Sequence, residues 1–495
     1  MRGLVLALAS IGVVAIGATA TAQVLAKDWR DAGEARGLEA SAEYADAAGM
    51  VGVLNAGGPV DTRGHPFFEP IGANGRACVT CHQPAEAMSV SAATIARRWQ
   101  ETNGADPIFA AIDGSNCPSL PQKERASHSL AIERGLFRVA MPWPPRKPDG
   151  APLDPEFTIE VVRDPTGCNT SPDYGLTGRA STVSVFRRPR MVANMKYVDT
   201  KGPVFNAKNI AMANLVDRET KQPSNMNLLS DARLLSLTHQ ARDTARNQLE
   251  RAAPLTDDQL SRILAFERQV YVAQGRDRFG ADFAAAGMPQ ALGPRAMLEG
   301  QAGVRDSGRT VFKSFEAWKS AAPAGEAAAF RASVARGYDI FSSRTFFIRD
   351  AMHINTTGLG NPVKGACATC HSMPMTGMAP GSGWVDVGAV NAPWANESPE
   401  LTLFNITCRP DAPPHPFLGR VIYTQDPGRA LISGRCMDVG AIVMGQLRGL
   451  SARAPYFSNG SAKSLRELVD FYDRRFNIRY SEAEKQDLVN FLSVL

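Results

Sequence analysis

Two short stretches concentrate the most reactive residue types at the tightest spacing: RACVTCH at 76–82 and GACATCH at 365–371. Each spells Cys-x-x-Cys-His. With 8 Cys and 7 His in 495 residues, composition alone would produce the pattern about 0.002 times per chain, so two copies need a chemical reason. Two thiols three positions apart can add to the two vinyl groups of one haem, and the next residue offers an imidazole to the iron. Cys78, Cys81 and His82 are therefore expected to hold one haem c, and Cys367, Cys370 and His371 a second. A zinc site would need two more ligands per copy at finger-like spacing, and a dithiol redox pair would need a βαβ context. Neither pattern occurs near these motifs.

The remaining cysteines divide evenly, Cys117 and Cys168 in the first half, Cys408 and Cys436 in the second. Of the possible connectivities, an oxidising compartment and the even split favour one staple per half, each stabilising by about 4 kcal/mol in the chain-entropy account. The start of the chain supports such a compartment. Arg2 precedes an apolar run that ends in small residues at Ala20-Thr21-Ala22, which reads as a secretory signal over 1–22, cleaved before Gln23. An uncleaved anchor is the competing reading, but Gly, Ser and Thr interrupt the run. The processed protein is expected to be periplasmic and not membrane-spanning. Net charge is +5, with FRRPR at 186–190 as the one local basic cluster. Such a surface suits an acidic redox partner or the carboxylates of haem, and no basic run interleaved with aromatics points to nucleic acid.

The elements that must position these motifs are mostly helices. FRASVARGYDIFSSRTF carries Val334, Tyr338 and Phe341 on one face ahead of the second motif. SEAEKQDLVNFLSVL opens with Ser481 and Glu484 as a capping box and continues with Leu488, Phe491 and Leu492 on one stripe. The first half closes with LTDDQLSRILAFERQVYVAQ, where Thr256 caps and Leu260, Ile263, Leu264 and Val270 form the apolar stripe of a helix. Between the first motif and that helix, FTIEVV and TVSVF read as short strands. The expected fold is mainly α: two cytochrome c-like haem domains, 23–280 with an insertion and 305–495, with long loops, a few short β segments and a connection over Gly280 to Ser307.

The C-terminal run LRGLSARAPYFSNGSAKSLRELVDFYDRRFNI resembles the LRN…APYFHDGS…TLEEVVEFY segment of bacterial di-haem cytochrome c peroxidases and of their relative, the methylamine-utilisation di-haem enzyme. RRPRMVANMKYV…LVDRET…SDARLLSLTHQA resembles a weakened form of that family's first-domain segment. The likeness spans about residues 60 to 495. It implies a division of labour in which the N-terminal haem meets hydrogen peroxide and the C-terminal haem, ligated on both sides, relays electrons from a small redox protein. In three places the chain departs from the family pattern. Val216 stands where the family has a Trp near the path between haems, His239 stands in the segment where it has a Glu, and Ser458 replaces a His.

The resemblance makes Tyr456 and Met444 the rival sixth ligands of the second haem, with Met375, Met378 and Met437 behind them. It makes His239 a candidate acid–base group or axial ligand. A Tyr456 packed at a haem edge with its hydroxyl on a backbone carbonyl is the structural alternative. His65, His128, His353 and His415, outside any motif, read as packing or surface residues. Asp113 and Asp164 read as turn residues. The leading expectation is an exported peroxidase-like oxidoreductase that reduces hydrogen peroxide or oxidises a partner. The alternative is a di-haem electron carrier without catalysis, and a haem oxygenase acting on an apolar substrate is a lesser third.

Overall fold

Where the sequence spaces apolar residues at helical intervals, helices form, but strands claim more of the chain than expected. The computed structural model describes residues 28–147, 150–199, 204–205, 211–212, 227–300, 315–320, 322, 324–373, 376–378 and 383–495. The expected signal segment, Val216 and Met375 lie outside these residues. In chain order the principal elements of the first half are β1 (Ser41–Asp46), β2 (Gly49–Asn55), α1 (Ala92–Thr102), β3 (Phe137–Pro142), β4 (Phe157–Arg163), β5 (Thr182–Arg187), α2 (Leu237–Asn247), α3 (Asp257–Gln269), β6 (Val270–Arg276) and α4 (Gly293–Glu299). Those of the second half are α5 (Gly325–Ser343), α6 (Cys367–Cys370), β7 (Leu403–Cys408), β8 (Val421–Thr424), α7 (Leu465–Phe476) and α8 (Glu482–Ser493).

The expectation of a mainly α protein is corrected by this content: the chain is 30% helical and 18% strand, a mixed α/β fold with several small sheets. One cause is the segment after α3. The expected closing helix stops at Gln269, and Val270–Arg276 turns into β6, pairing antiparallel with β2 from Asn55↔Val270 to Met50↔Arg276. Val270, Tyr271 and Val272 are β-branched or aromatic and fully or nearly buried. The β1–β2 hairpin offers them a sheet edge, and pairing there outweighs their place on a helical stripe. At the hairpin turn Gly49 has φ +137, and a Cβ there would overlap the Arg276 carbonyl, so this turn needs glycine.

The second cause joins the two halves. FTIEVV and TVSVF fold as β4 and β5, but β4 pairs with β7 of the second half, in the sheet order β8-β7-β4. Ile406 faces Ile159 and Phe404 faces Val161 across that boundary. Under this sheet Phe157, Ile159, Val183, Val185, Phe404, Ile406, Leu431 and Val439 form a core built by insertions from both halves. Cys117 is bonded to Cys168 and Cys408 to Cys436, with Cα–Cα separations of 5.2 and 5.8 Å, and the second pair lies in this shared core.

The helical frame follows the sequence more closely. On α5, Val334, Tyr338 and Phe341 are all buried, and α8 starts with the Ser481–Glu484 capping box and buries Leu488, Phe491 and Leu492. The two helices touch at Gly337, where a Cβ would overlap the Asp487 carbonyl. Each ring such as Phe491 buried here stabilises by about 2 to 3 kcal/mol. Within the expected connection, α4 forms and packs on β2 and β6. Among the described residues, no helix is long and apolar enough to cross a membrane.

Candidate functional site

The two Cys-x-x-Cys-His motifs fold as near copies. In each, a single helical turn begins at the first cysteine, Cys78–Thr80 in one and Cys367–Cys370 in the other. The threonine between the cysteines closes that turn. The Ala77 N–H donates to Thr80 Oγ1 at 3.1 Å, and the Ala366 N–H donates to Thr369 Oγ1 at 2.9 Å. The chain then loops so that the histidine ring meets the carbonyl six residues on, His82 Nδ1 to Met88 O at 3.1 Å and His371 Nδ1 to Gly377 O at 2.8 Å. Isolated bridges Gln83↔Ser89 and Ser372↔Met378 close both loops. Positive φ falls at matching positions, Ala87 and Met88 in the first, Thr376 and Gly377 in the second. Left-handed backbone is unfavourable for Ala, Met and Thr, so its reuse marks a loop whose shape is needed to hold the imidazole.

A carbonyl can only accept, so each neutral ring carries its proton on Nδ1 and keeps its lone pair on Nε2. Burial keeps the rings neutral: it pulls His82 down to about 4 and lowers His371, against the pull of the carbonyl bond in each case. Burial also raises Cys78, Cys81 to about 12, Cys367 to about 11 and Cys370 to about 12. These are neutral thiols, not thiolates poised for redox exchange or zinc.

Both motifs open into one cavity. Cys78, Cys81 and His82 line it, and so do Cys367, Cys370 and His371. Its empty space, open mouths included, is about 2890 Å³.

The walls near the two motifs differ. Near the first motif, Leu237, Gln240, Thr244 and Gln248 project from one stripe of α2 and its C-terminal end, with Glu267 from α3 beside them. Glu267 is 3% exposed, its Oε2 has no partner, and burial raises its carboxyl to about 8. On the other side of Cys81, Arg76 and Asp113 form a buried pair. Near the second motif the wall is aromatic and aliphatic: Phe341, Tyr472, Phe476, Tyr480, Leu488 and Leu492. The Phe341 and Tyr472 rings lie 6.4 and 6.2 Å from His371, and the Tyr480 hydroxyl is 3.8 Å from Cys367 Sγ.

Of the candidates named from sequence, Met444, Tyr456 and Ser458 line the cavity. The Tyr456 hydroxyl donates to Leu450 O at 3.0 Å, and burial raises its pKa to about 12. His239 sits in the first turn of α2, where its N–H donates to the Ser236 cap, and it is absent from the cavity lining; its neighbour Gln240 is present. Met378 is packed in the first-half core and Met437 lies off the cavity. His128 sets Nδ1 2.8 Å from Gly114 O and Nε2 2.9 Å from Gln122 O, both of them acceptors, and His353 meets Asp438 at 2.8 Å, as packing residues do. Sequence reading missed Glu267, Met191 and Met195, all in the lining. Glu267 carries a usable signal in retrospect: an acid near the buried end of an amphipathic helix, next to Phe266.

Among the described residues, no group of three or more His, Cys, Asp or Glu converges on a bare metal ion. One imidazole with two nearby thiols, facing a cavity, is instead a set that a tethered porphyrin would use, the imidazole toward the iron and the thiols toward the vinyl groups. The residues present fit that group at both motifs. Comparisons of this chain with protein-family models, curated proteins and solved structures find no match.

Proposed function

We propose that the protein is an exported di-haem c-type oxidoreductase of the peroxidase type, reducing hydrogen peroxide or oxidising a partner with electrons supplied by a small redox protein. The observation that carries this reading is the single cavity that both Cys-x-x-Cys-His motifs share, with a neutral Nε2 lone pair at each motif. Cys78 and Cys81 would tether the first haem and His82 would ligate it; Cys367, Cys370 and His371 would do the same for the second. A haem bound there supplies redox chemistry at iron and a path for electrons.

The chain's own groups divide the work. Glu267, neutral at pH 7, holds a proton at its carboxyl beside the first motif, and Gln240 and Thr244 add hydrogen-bonding groups to the same wall. The wall around His371 is aromatic and aliphatic, and among its described residues Tyr472 and Tyr480 are pushed up by burial, away from proton exchange near neutral pH, which suits a site that only passes electrons. The carbonyls of Met88 and Gly377 orient the two rings and raise their basicity as ligands. Of the two rivals for the second haem's sixth position, Met444 is the better supported, because the Tyr456 hydroxyl is already engaged with Leu450 O.

A carrier without catalysis remains the second reading, favoured by Met191 and Met195 in the cavity wall, since a thioether on the first iron would close it. One set of measurements on the exported protein separates the two. Mass should give two attached haems, and the ferric spectrum should contain one high-spin component that binds cyanide, with peroxide consumption dependent on a reduced donor. Two low-spin haems inert to peroxide would replace the peroxidase with the carrier, and fewer than two attached haems would sink both.

A further inference from the structure

The cavity wall holds positive charge, buried at Arg188 and half-buried at Arg190 and Arg453, that no ion pair neutralises among the described residues. Four arginines meet there: Arg187, Arg188, Arg190 and Arg453. Arg187 is matched, with two bonds to Asp426 at 2.7 and 2.9 Å and one to Asp231 at 2.5 Å. The other three donate only to backbone carbonyls. Arg188 reaches Val90 O at 2.7 Å, Arg453 O at 2.9 Å and Arg134 O at 3.3 Å. Arg190 holds Val443 O and Met444 O, both at 2.9 Å. Arg453 holds Arg448 O at 3.2 Å and Gln446 O.

No carboxylate lies within ion-pair distance of these three among the described residues; Glu86 and Asp231 act on Arg188 and Arg190 only from beyond that distance, and Arg453 repels both. Carbonyl bonds hold a guanidinium in place but leave its charge uncancelled, and an unpaired buried charge is strongly destabilising. Guanidinium binds carboxylates through paired, charge-assisted hydrogen bonds. A carboxylate-bearing ligand matches these donors. Each haem carries two propionate carboxylates, so haems held in this cavity would supply the anionic partners that these guanidiniums lack.

We propose that Arg188, Arg190 and Arg453 form an anion seat that binds porphyrin propionates in this cavity. The seat rests on the haem reading of the cavity. It also ties that charge to the second half, because Arg190 and Arg453 grip the loop that carries Met444. Positive charge beside a haem favours its reduced form, so loss of one arginine should shift the reduction equilibrium toward the oxidised form.

The test compares the full-length exported protein with its Arg190→Gln, Arg453→Gln and Arg453→Lys variants, by mass and by spectroelectrochemical titration. The Gln variants should keep two attached haems while the reduction constant of at least one haem falls about tenfold, or about 59 mV for a one-electron couple. Arg453→Lys, which keeps the charge, should recover most of that shift. Two haems with unchanged potentials in both Gln variants would overturn the seat and leave the haem reading intact. If the Gln variants fail to accumulate, a structure of the haem-loaded wild type decides: propionates within hydrogen-bond distance of these guanidiniums support the seat, and propionates directed elsewhere overturn it. A wild-type protein without attached haem would overturn the haem reading, and the seat with it.

Discussion

The two motif sites share one backbone plan and differ in what surrounds it. The same Thr-closed turn, the same carbonyl six residues past the histidine and the same left-handed positions recur in both, so the local loop does not make the sites unequal. The walls do. The first site has a neutral buried acid and two polar side chains from α2, whereas the second is closed by aromatic rings and leucines. The motif geometry recurs within a short local segment that runs on to Met88 and Gly377, but proton chemistry depends on which distant helices pack against it.

The comparison is broken most decisively by removing one tether at a time. Cys78→Ala with Cys81→Ala should lower the attached mass by one haem and bring peroxide turnover to background, with any cyanide-binding signal lost. Cys367→Ala with Cys370→Ala should also lose one haem but keep that cyanide-binding signal. Equal loss of the signal in both variants would contradict unequal sites.

Next in size is the joint between the halves. Arg187 pairs with Asp231 of the first half and Asp426 of the second, all buried. Arg187→Met leaves the buried Asp426 carboxylate without an arginine and Asp231 with Arg233 alone, and chemical denaturation should report a loss of about 3 to 5 kcal/mol.

Glu267 sharpens the contrast in two ways. Glu267→Gln should slow peroxide turnover about a hundredfold if the acid handles protons for the first site; an equivalent change at Tyr472, such as Tyr472→Phe, should have a far smaller effect. Its pKa, raised from 4.5 to about 8 by burial, also sets a stability slope. Between those values the folded chain holds a proton that the unfolded chain has lost, so the stabilising contribution is full below the lower value and is lost as pH rises toward 8. The total is a few kcal/mol at roughly 1.4 per pH unit. Denaturation midpoints of the Gln variant should lack that slope.

The smallest effect concerns the second site's frame. Ser481→Ala removes the cap that accepts from Glu484 N at 3.2 Å and should cost about 1 kcal/mol in denaturation, without altering the first site's spectrum.

Much of the second half was legible because its signals are local. Cap residues, the faces of α5 and α8 and the motif turns depend on neighbours within a few positions. The first half was read less well where long-range pairing decided the outcome. Val270 lies on a helical stripe in the sequence, yet the open edge of β2 draws it into a sheet. FTIEVV was recognisable as a strand, but nothing near it announces β7, some 240 residues on, as its partner. His239 and Gln240 differ by one helical step of about 100°; position along the chain pointed to the first, and the packing of α2 turned the second toward the cavity.

Taken alone, the amino-acid order determined the two Cys-x-x-Cys-His units and the helices with their caps, since covalent spacing and helical periodicity act over a few residues. Only the tertiary structure decided that both units open into one cavity, that insertions from both halves share a core, and which arginines find carboxylates. Those outcomes depend on the burial of surfaces far apart in the chain, and no short-range pattern encodes which distant surface will cover which.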